Sequence, residues 1–211
     1  KMVVTDGAGA GAAVTDVLDL TGGTGNVGLG SGALGTAITT GTDNVAIGEA
    51  ALDAVTTGST NTAVGDNAGG AITTGSQNVT VGSASGLALT TGNQNVIVGE
   101  QAGESSTTGT ANTLVGCESG GGADVTGAHN VGVGRKTLFD NTSGEKNVAV
   151  GRSALENNTT GASNVGIGYQ ALMATTTADG NVAVGEGAGA ANTTGTENVF
   201  IGHEAGNDVT T

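Results

Sequence analysis

The chain has no proline and no tryptophan, a single cysteine, and only three aromatic residues, Phe139, Phe200 and Tyr169, among 211. A conventional globular core needs many large side chains, each contributing roughly 1.5–3 kcal/mol on burial, whereas the apolar 36% here is mostly Ala and Val. Any core is therefore thin. Without proline, and with 42 glycines that do not recur every third residue, collagen is excluded. Regularly spaced valines and isoleucines and a mean hydropathy of +0.05 fit disorder poorly.

Positive charge is scarce as well. Five Lys and Arg stand against nineteen Asp and Glu, a formal charge of −14, so the field repels phosphate backbones and anionic headgroups. Nucleic acid is excluded as a partner. No stretch approaches the roughly eighteen apolar residues of a membrane helix, and the start does not read as a signal peptide, so membrane insertion is not expected. The opening Lys1-Met2 hints at a processed product or a segment of something longer. Cys117 has no partner for an internal disulfide and leaves the redox compartment open.

What the chain has is self-similarity. Asn-Val-Ala-Val-Gly and its variants begin at Asn26, Asn44, Asn61, Asn78, Asn95, Asn112, Asn130, Asn147, Asn164, Asn181 and Asn198, with eight intervals of 17 residues and two of 18. Counting each Asn as position zero, +4 is Gly in every copy: Gly30, Gly48, Gly65, Gly82, Gly99, Gly116, Gly134, Gly151, Gly168, Gly185 and Gly202. Position −3 is Gly except at Ala178, Thr-Thr precedes it in most copies, and +7 is always small. The two long intervals carry their extra residue around 35–38 and 121–124, which marks that arc as a loop.

Apolar residues at +1 and +3, as in Val45 and Ile47, flank a usually small +2, and this alternation predicts a short strand with one buried face. The Gly on each side is expected to supply the positive φ that turns the chain. A 17-residue period is too short for a helix pair or a propeller blade. It suits one coil of a β-solenoid, each copy stacked about 4.8 Å beyond the last, so that eleven coils make an all-β rod of roughly 50 Å. In such a stack the asparagines form an amide ladder, a structural role rather than ligand binding.

Position +8 runs in blocks of Leu and Gly (Leu34, Leu52; Gly69 to Gly120; Leu138, Leu155, Leu172; Gly189, Gly206), as an interior column requires. Position +5 is mixed in charge and size and belongs outside. There Glu49 stands one coil from Asp66; either both carboxylates splay into water or a bound cation holds them, the one weak metal candidate of the chain.

Catalysis has little to build on, and neither a catalytic residue nor a cofactor is expected. His129 and His203 lie four to five coils, about 20 Å, apart and cannot share a metal. Cys117 has no histidine in its own coil to activate it. Paired glycosidase carboxylates lack aromatic platforms and a groove. The turns are Thr-Thr-Gly-x-x-Asn rather than the Gly-Gly-x-Gly-x-Asp of calcium-binding rolls. The threonine column invites comparison with ice-binding solenoids, but adjacent residues face opposite ways and only one per coil could share a plane.

The repeat Asn-Val-Ala-Val-Gly-x-x-Ala-Leu-x-x-x-Thr-Thr-Gly-x-x, at Asn147–Ser163 and nearly so at Asn44–Thr60, resembles those of long phage tail-fibre and related virion fibre proteins. Head domains of trimeric autotransporter adhesins carry a similar, shorter coil. Residues 1–22 resemble a strand module that leads into such a rod, 23–206 form the eleven-coil shaft, and 207–211 begin a further coil, so the rod is expected to continue. The resemblance implies an intertwined homotrimeric fibre, extracellular, on a virion or cell surface. Its role would be the shaft of a tail fibre that projects an adhesive or receptor-binding element toward a host cell, with other fibre or virion proteins and a host receptor as partners. The alternative is a bacterial surface adhesin or filament whose outward columns themselves bind a glycan, ice or another cell.

Overall fold

A computed structural model describes residues 24–211, and the expected N-terminal module at 1–22 lies outside them. The described chain is a β-solenoid. Eleven strands of three residues, β1 (Val27–Leu29), β2 (Val45–Ile47), β3 (Thr62–Val64), β4 (Val79–Val81), β5 (Val96–Val98), β6 (Thr113–Val115), β7 (Val131–Val133), β8 (Val148–Val150), β9 (Val165–Ile167), β10 (Val182–Val184) and β11 (Val199–Ile201), form one sheet in chain order. Every pairing is parallel and joins identical positions of neighbouring coils, as in Val148↔Val165 and Val150↔Ile167. The remaining arc of each coil is turn, bonded to the next coil by main-chain contacts such as Leu155 N to Ala171 O at 3.0 Å and Thr142 N to Thr159 O at 2.8 Å.

The chain closes a coil in so few residues by entering positive φ four times per copy: at −1, +4, +6 and +8. At +4 the glycines have φ of 117 to 138°, a region closed to residues with a Cβ. A Cβ there would also strike the carbonyl of the next coil's +4 glycine. The −3 glycines need a different explanation from the one the repeat suggested, because they do not have positive φ. They are glycines because a coil lies directly on them: a Cβ on Gly75 would sit 2.5 Å from Gly92 O and 3.3 Å from Asn78 Nδ2. Where Ala178 takes this position, the stack gives slightly. Thr176 N reaches Thr193 O at 3.2 Å, against 2.8 Å for the corresponding bond one coil earlier.

The buried face of each strand is not the aliphatic one. The inward residue is +2: Ala46, Ala63, Ala149 and Ala183 are fully buried, as nearly are Thr80, Ile97 and Leu114. The Val and Ile at +1 and +3 point out of the tube and are half-buried or exposed. The tube is too narrow for β-branched residues from both strand edges, and between positions +2 and +8 its interior takes at most one sizeable side chain per level.

Two walls share that level. Where +8 is Leu, +2 is Gly or Ala, as in Leu34 with Gly28, Leu52 with Ala46, Leu138 with Gly132, Leu155 with Ala149 and Leu172 with Gly166. Where +8 is Gly, +2 grows: Gly86 faces Thr80, Gly103 faces Ile97, Gly120 faces Leu114 and Gly206 faces Phe200. In two coils both are small, and neighbours fill the space; a Cβ on Gly69 would meet Ile72 Cδ1 at 2.9 Å and Leu52 Cδ2 at 3.2 Å. Position +8 has φ between 50° and 65° in all eleven copies, whether Leu or Gly. A left-handed Leu costs about 1–2 kcal/mol and its burial contributes about 1.5–3 kcal/mol, so the two residues come close to balance and either wall can supply the filler.

This sharing predicts strong coupling. Ile97→Ala should cost about 2–5 kcal/mol through a cavity, and Gly103→Leu about 1–3 kcal/mol through crowding against Ile97. Together they recreate the arrangement of coils with an inward Leu. In urea unfolding the double variant is expected to be more stable than the summed singles by at least about 1 kcal/mol; simple additivity would show that the walls do not share the space.

Candidate functional site

The residues that recur most strictly are assembled into files along the rod. The Asn residues at position zero are buried, except the half-buried Asn198, and from Asn44 on each donates its main-chain N to the preceding Asn Oδ1, most adding Nδ2 to the same oxygen. Asn61 N and Nδ2 both reach Asn44 Oδ1 at 3.0 Å, and Asn95 N and Nδ2 reach Asn78 Oδ1 at 2.9 and 3.0 Å. The second amide proton goes forward to the carbonyl at −3 of the next coil, as from Asn44 to Gly58 O at 2.9 Å and from Asn147 to Gly161 O at 2.8 Å. An amide carries both a donor and an acceptor and so can bond to a copy of itself; Asp, Ser or Ala cannot repeat this pattern. The file runs from Asn26 to Asn198.

The threonines form a second file. The first Thr of each pair donates its hydroxyl to the carbonyl of its counterpart: Thr56 to Thr73 at 3.0 Å, Thr90 to Thr107 at 3.0 Å, Thr142 to Thr159 at 2.9 Å. At the second long interval Asp124 replaces that carbonyl, its Oδ1 accepting from Thr107 N at 2.9 Å and Oγ1 at 2.8 Å. These hydroxyls are engaged along the axis, whereas the second Thr of each pair, as at Thr57, Thr74 and Thr91, is exposed. A third, outer file joins main-chain N to side-chain oxygen at position −2, as in Ser59 N to Ser76 Oγ at 3.1 Å and Ser76 N to Asn93 Oδ1 at 2.9 Å.

A fourth file lies inside at −6. It is apolar in early coils, at Ile38, Val55, Ile72 and Leu89, and polar later, at Asn141, Asn158, Thr175 and Asn192, all fully buried. Asn158 Nδ2 donates to Asn141 Oδ1 at 2.7 Å. The file breaks at Thr175, whose hydroxyl donates instead to Asn192 O at 2.9 Å, and Asn158 Oδ1 is left without a partner. The sequence reading missed these residues, although aligning the copies at −6 would have displayed the 17-residue recurrence of Asn141 and Asn158.

The candidate metal residues Glu49 and Asp66 are exposed at neighbouring +5 positions. Among the described residues, no three His, Cys, Asp or Glu side chains are grouped to hold a metal ion. His129 and His203 are exposed in different columns four coils apart, and Cys117 is a half-buried free thiol. No described helix is long and apolar enough to cross a membrane.

The outward +1 and +3 residues constitute the largest apolar feature of the surface. They form two adjacent rows, aliphatic except at Thr62 and Thr113, with no charge in any of the eleven coils. Ile47, Ile167, Val133 and Val184 are each 37–39% exposed in mid-rod. Eleven coils make the strip about 50 Å long and on the order of 500 Å² in area, at the upper end for a monomer. The chain matches no family model, no curated protein and no solved structure.

The asparagine file yields a stability prediction. Asn147→Ala removes the acceptor of two buried donors, Asn164 N and one Nδ2 proton, while Asn130 Oδ1 keeps the main-chain N of residue 147 and Gly161 O keeps Asn158 Nδ2. Each of the two orphaned donors costs about 1–3 kcal/mol, so a total of about 2–6 kcal/mol is expected in chemical denaturation. The exposed Thr160→Ala should change stability by under about 0.5 kcal/mol. Equal effects of the two would remove the file from its structural role.

Proposed function

We propose that the chain is a non-enzymatic structural shaft, three copies side by side, in an extracellular or virion fibre that projects an adhesive or receptor-binding element toward a host cell. The observation that carries this reading is the charge-free aliphatic strip running the length of a rod whose every coil is bonded to the next. A stack held by main-chain bonds and three polar files resists bending, and nothing in it has to move. Three strips meeting on a common axis would bury on the order of 1,500 Å² in all, shared among three pairwise contacts. Each strand pairs with the next of its own chain, which is compatible with copies that pack flank to flank. The resemblance of the repeats to tail-fibre and autotransporter coils supports the same assembly, with other fibre or virion proteins at its ends. Projection of several copies of a weak receptor-binding element raises avidity by orders of magnitude.

A surface filament that binds a ligand through its own outward columns is the second reading. One observation favours it: the cations and aromatic rings gathered between Arg135 and Tyr169.

Sedimentation equilibrium of the intact chain is expected to give three times the chain mass. Val148→Asp with Val165→Asp places charge on the strip without touching the tube interior. This variant should sediment as a monomer with an unchanged circular dichroism spectrum. A wild type that remains monomeric at tens of micromolar would overturn the assembly.

A further inference from the structure

Cations and aromatic rings are the scarcest large residues of the chain, and outside the tube they occur together. Four of the five Lys and Arg, namely Arg135, Lys136, Lys146 and Arg152, fall between 135 and 152. Of the three aromatic residues, Phe200 is 9% exposed inside the tube; the other two, Phe139 and Tyr169, lie on the same coils as these cations or the next. Lys136 Nζ sits 4.6 Å from the Phe139 ring centre, and the Arg152 guanidinium 5.6 Å from that of Tyr169.

Arg135, Arg152 and Tyr169 occupy +5 in three consecutive coils. In-register stacking places their backbones about 4.8 Å apart, close enough for two guanidinium groups to repel. Their side chains part along the axis. Arg135 turns back to Glu118, 2.9 Å away, and Arg152 turns forward onto Tyr169. Glu118 also lies 4.0 Å from Lys136, and these two contacts are the ion pairs among the described residues. Arg152 thus has a ring on its face and no carboxylate at its N–H edge, beside a Tyr169 that is 40% exposed. A guanidinium beside an aromatic ring and without a carboxylate partner keeps its fork of donors free for a planar or tetrahedral oxyanion.

We propose that this corner binds an acidic saccharide. Its carboxylate or sulfate ester is received at the N–H edge of Arg152, the one of the two arginines without a carboxylate partner, and its sugar ring packs against the exposed part of Tyr169. The exposed ring beside the donor fork favours a saccharide over an acidic peptide, which has no use for an aromatic platform. Because the rod carries −14 overall, long-range attraction cannot gather polyanions, and recognition depends on this one place. The site needs a single rod only and does not rest on the fibre reading.

The test is binding of the intact chain at physiological ionic strength to immobilised heparin, which carries sulfate and carboxylate, to hyaluronan, which carries carboxylate alone, and to neutral dextran. Retention on heparin or hyaluronan and none on dextran is expected, the first two separating sulfate from carboxylate as the preferred group. Arg152→Gln should weaken binding about tenfold, and Arg135→Gln, whose guanidinium is held by Glu118, by less. Tyr169→Ala should weaken it several-fold at an unchanged melting temperature. Lys146→Gln removes the same charge off this corner and should leave affinity within about twofold, because its column is not +5. Failure to bind either acidic polymer would overturn the proposal, as would equal losses from Lys146→Gln and Arg152→Gln. Poly-glutamate bound as tightly, with no effect of Tyr169→Ala, would assign the corner to an acidic protein instead.

Discussion

Every coil of this protein is the floor of the next, and a polar group at a corner can be satisfied only by the image of itself one strand spacing away. That condition selects residue types. Asn at position zero both donates and accepts and repeats in all eleven copies, closing an unbroken chain of bonds in a place water does not reach. Threonine meets the same condition differently, by giving its hydroxyl to the main chain of the next copy. Position +5, which faces water, is under no such constraint and varies freely from Glu49 to Tyr169.

The interior obeys a volume rule rather than a residue rule. With one filler per level between +2 and +8, Leu155 from one wall is equivalent to Ile97 from the other, and backbone strain at +8 nearly cancels the gain from burial. Such a core holds little apolar area per residue. Stability then depends on the number of coils and on the bonds between them, as expected of a one-dimensional stack.

The narrow tube has an outward consequence. Small residues fill the inside of each strand, and the larger aliphatic side chains are left on its outer face, where they can be buried only by something other than their own coil. The surface therefore has an apolar side suited to neighbouring copies. It also has corners where composition can depart from the repeat without disturbing the stack, as at Arg135, Arg152 and Tyr169.

Period, strand positions and the +4 glycines were all legible in the sequence, because each is a local property that recurs every 17 residues: hydrogen-bonding capacity, alternation, or a φ only glycine adopts. So was the outward placement of the mixed +5 column. Alternation marks two faces of a strand but carries no sign, and only the closed tube decided that Ala149 points in while Val148 and Val150 point out. The reason for glycine at −3, the exchange of filler between Ile97 and Leu155 and the polar file at Asn141 and Asn158 depend likewise on distances across the tube or between coils. Those distances exist only once the chain has closed on itself, which is why repetition in one dimension could announce the stack but not the width of its interior.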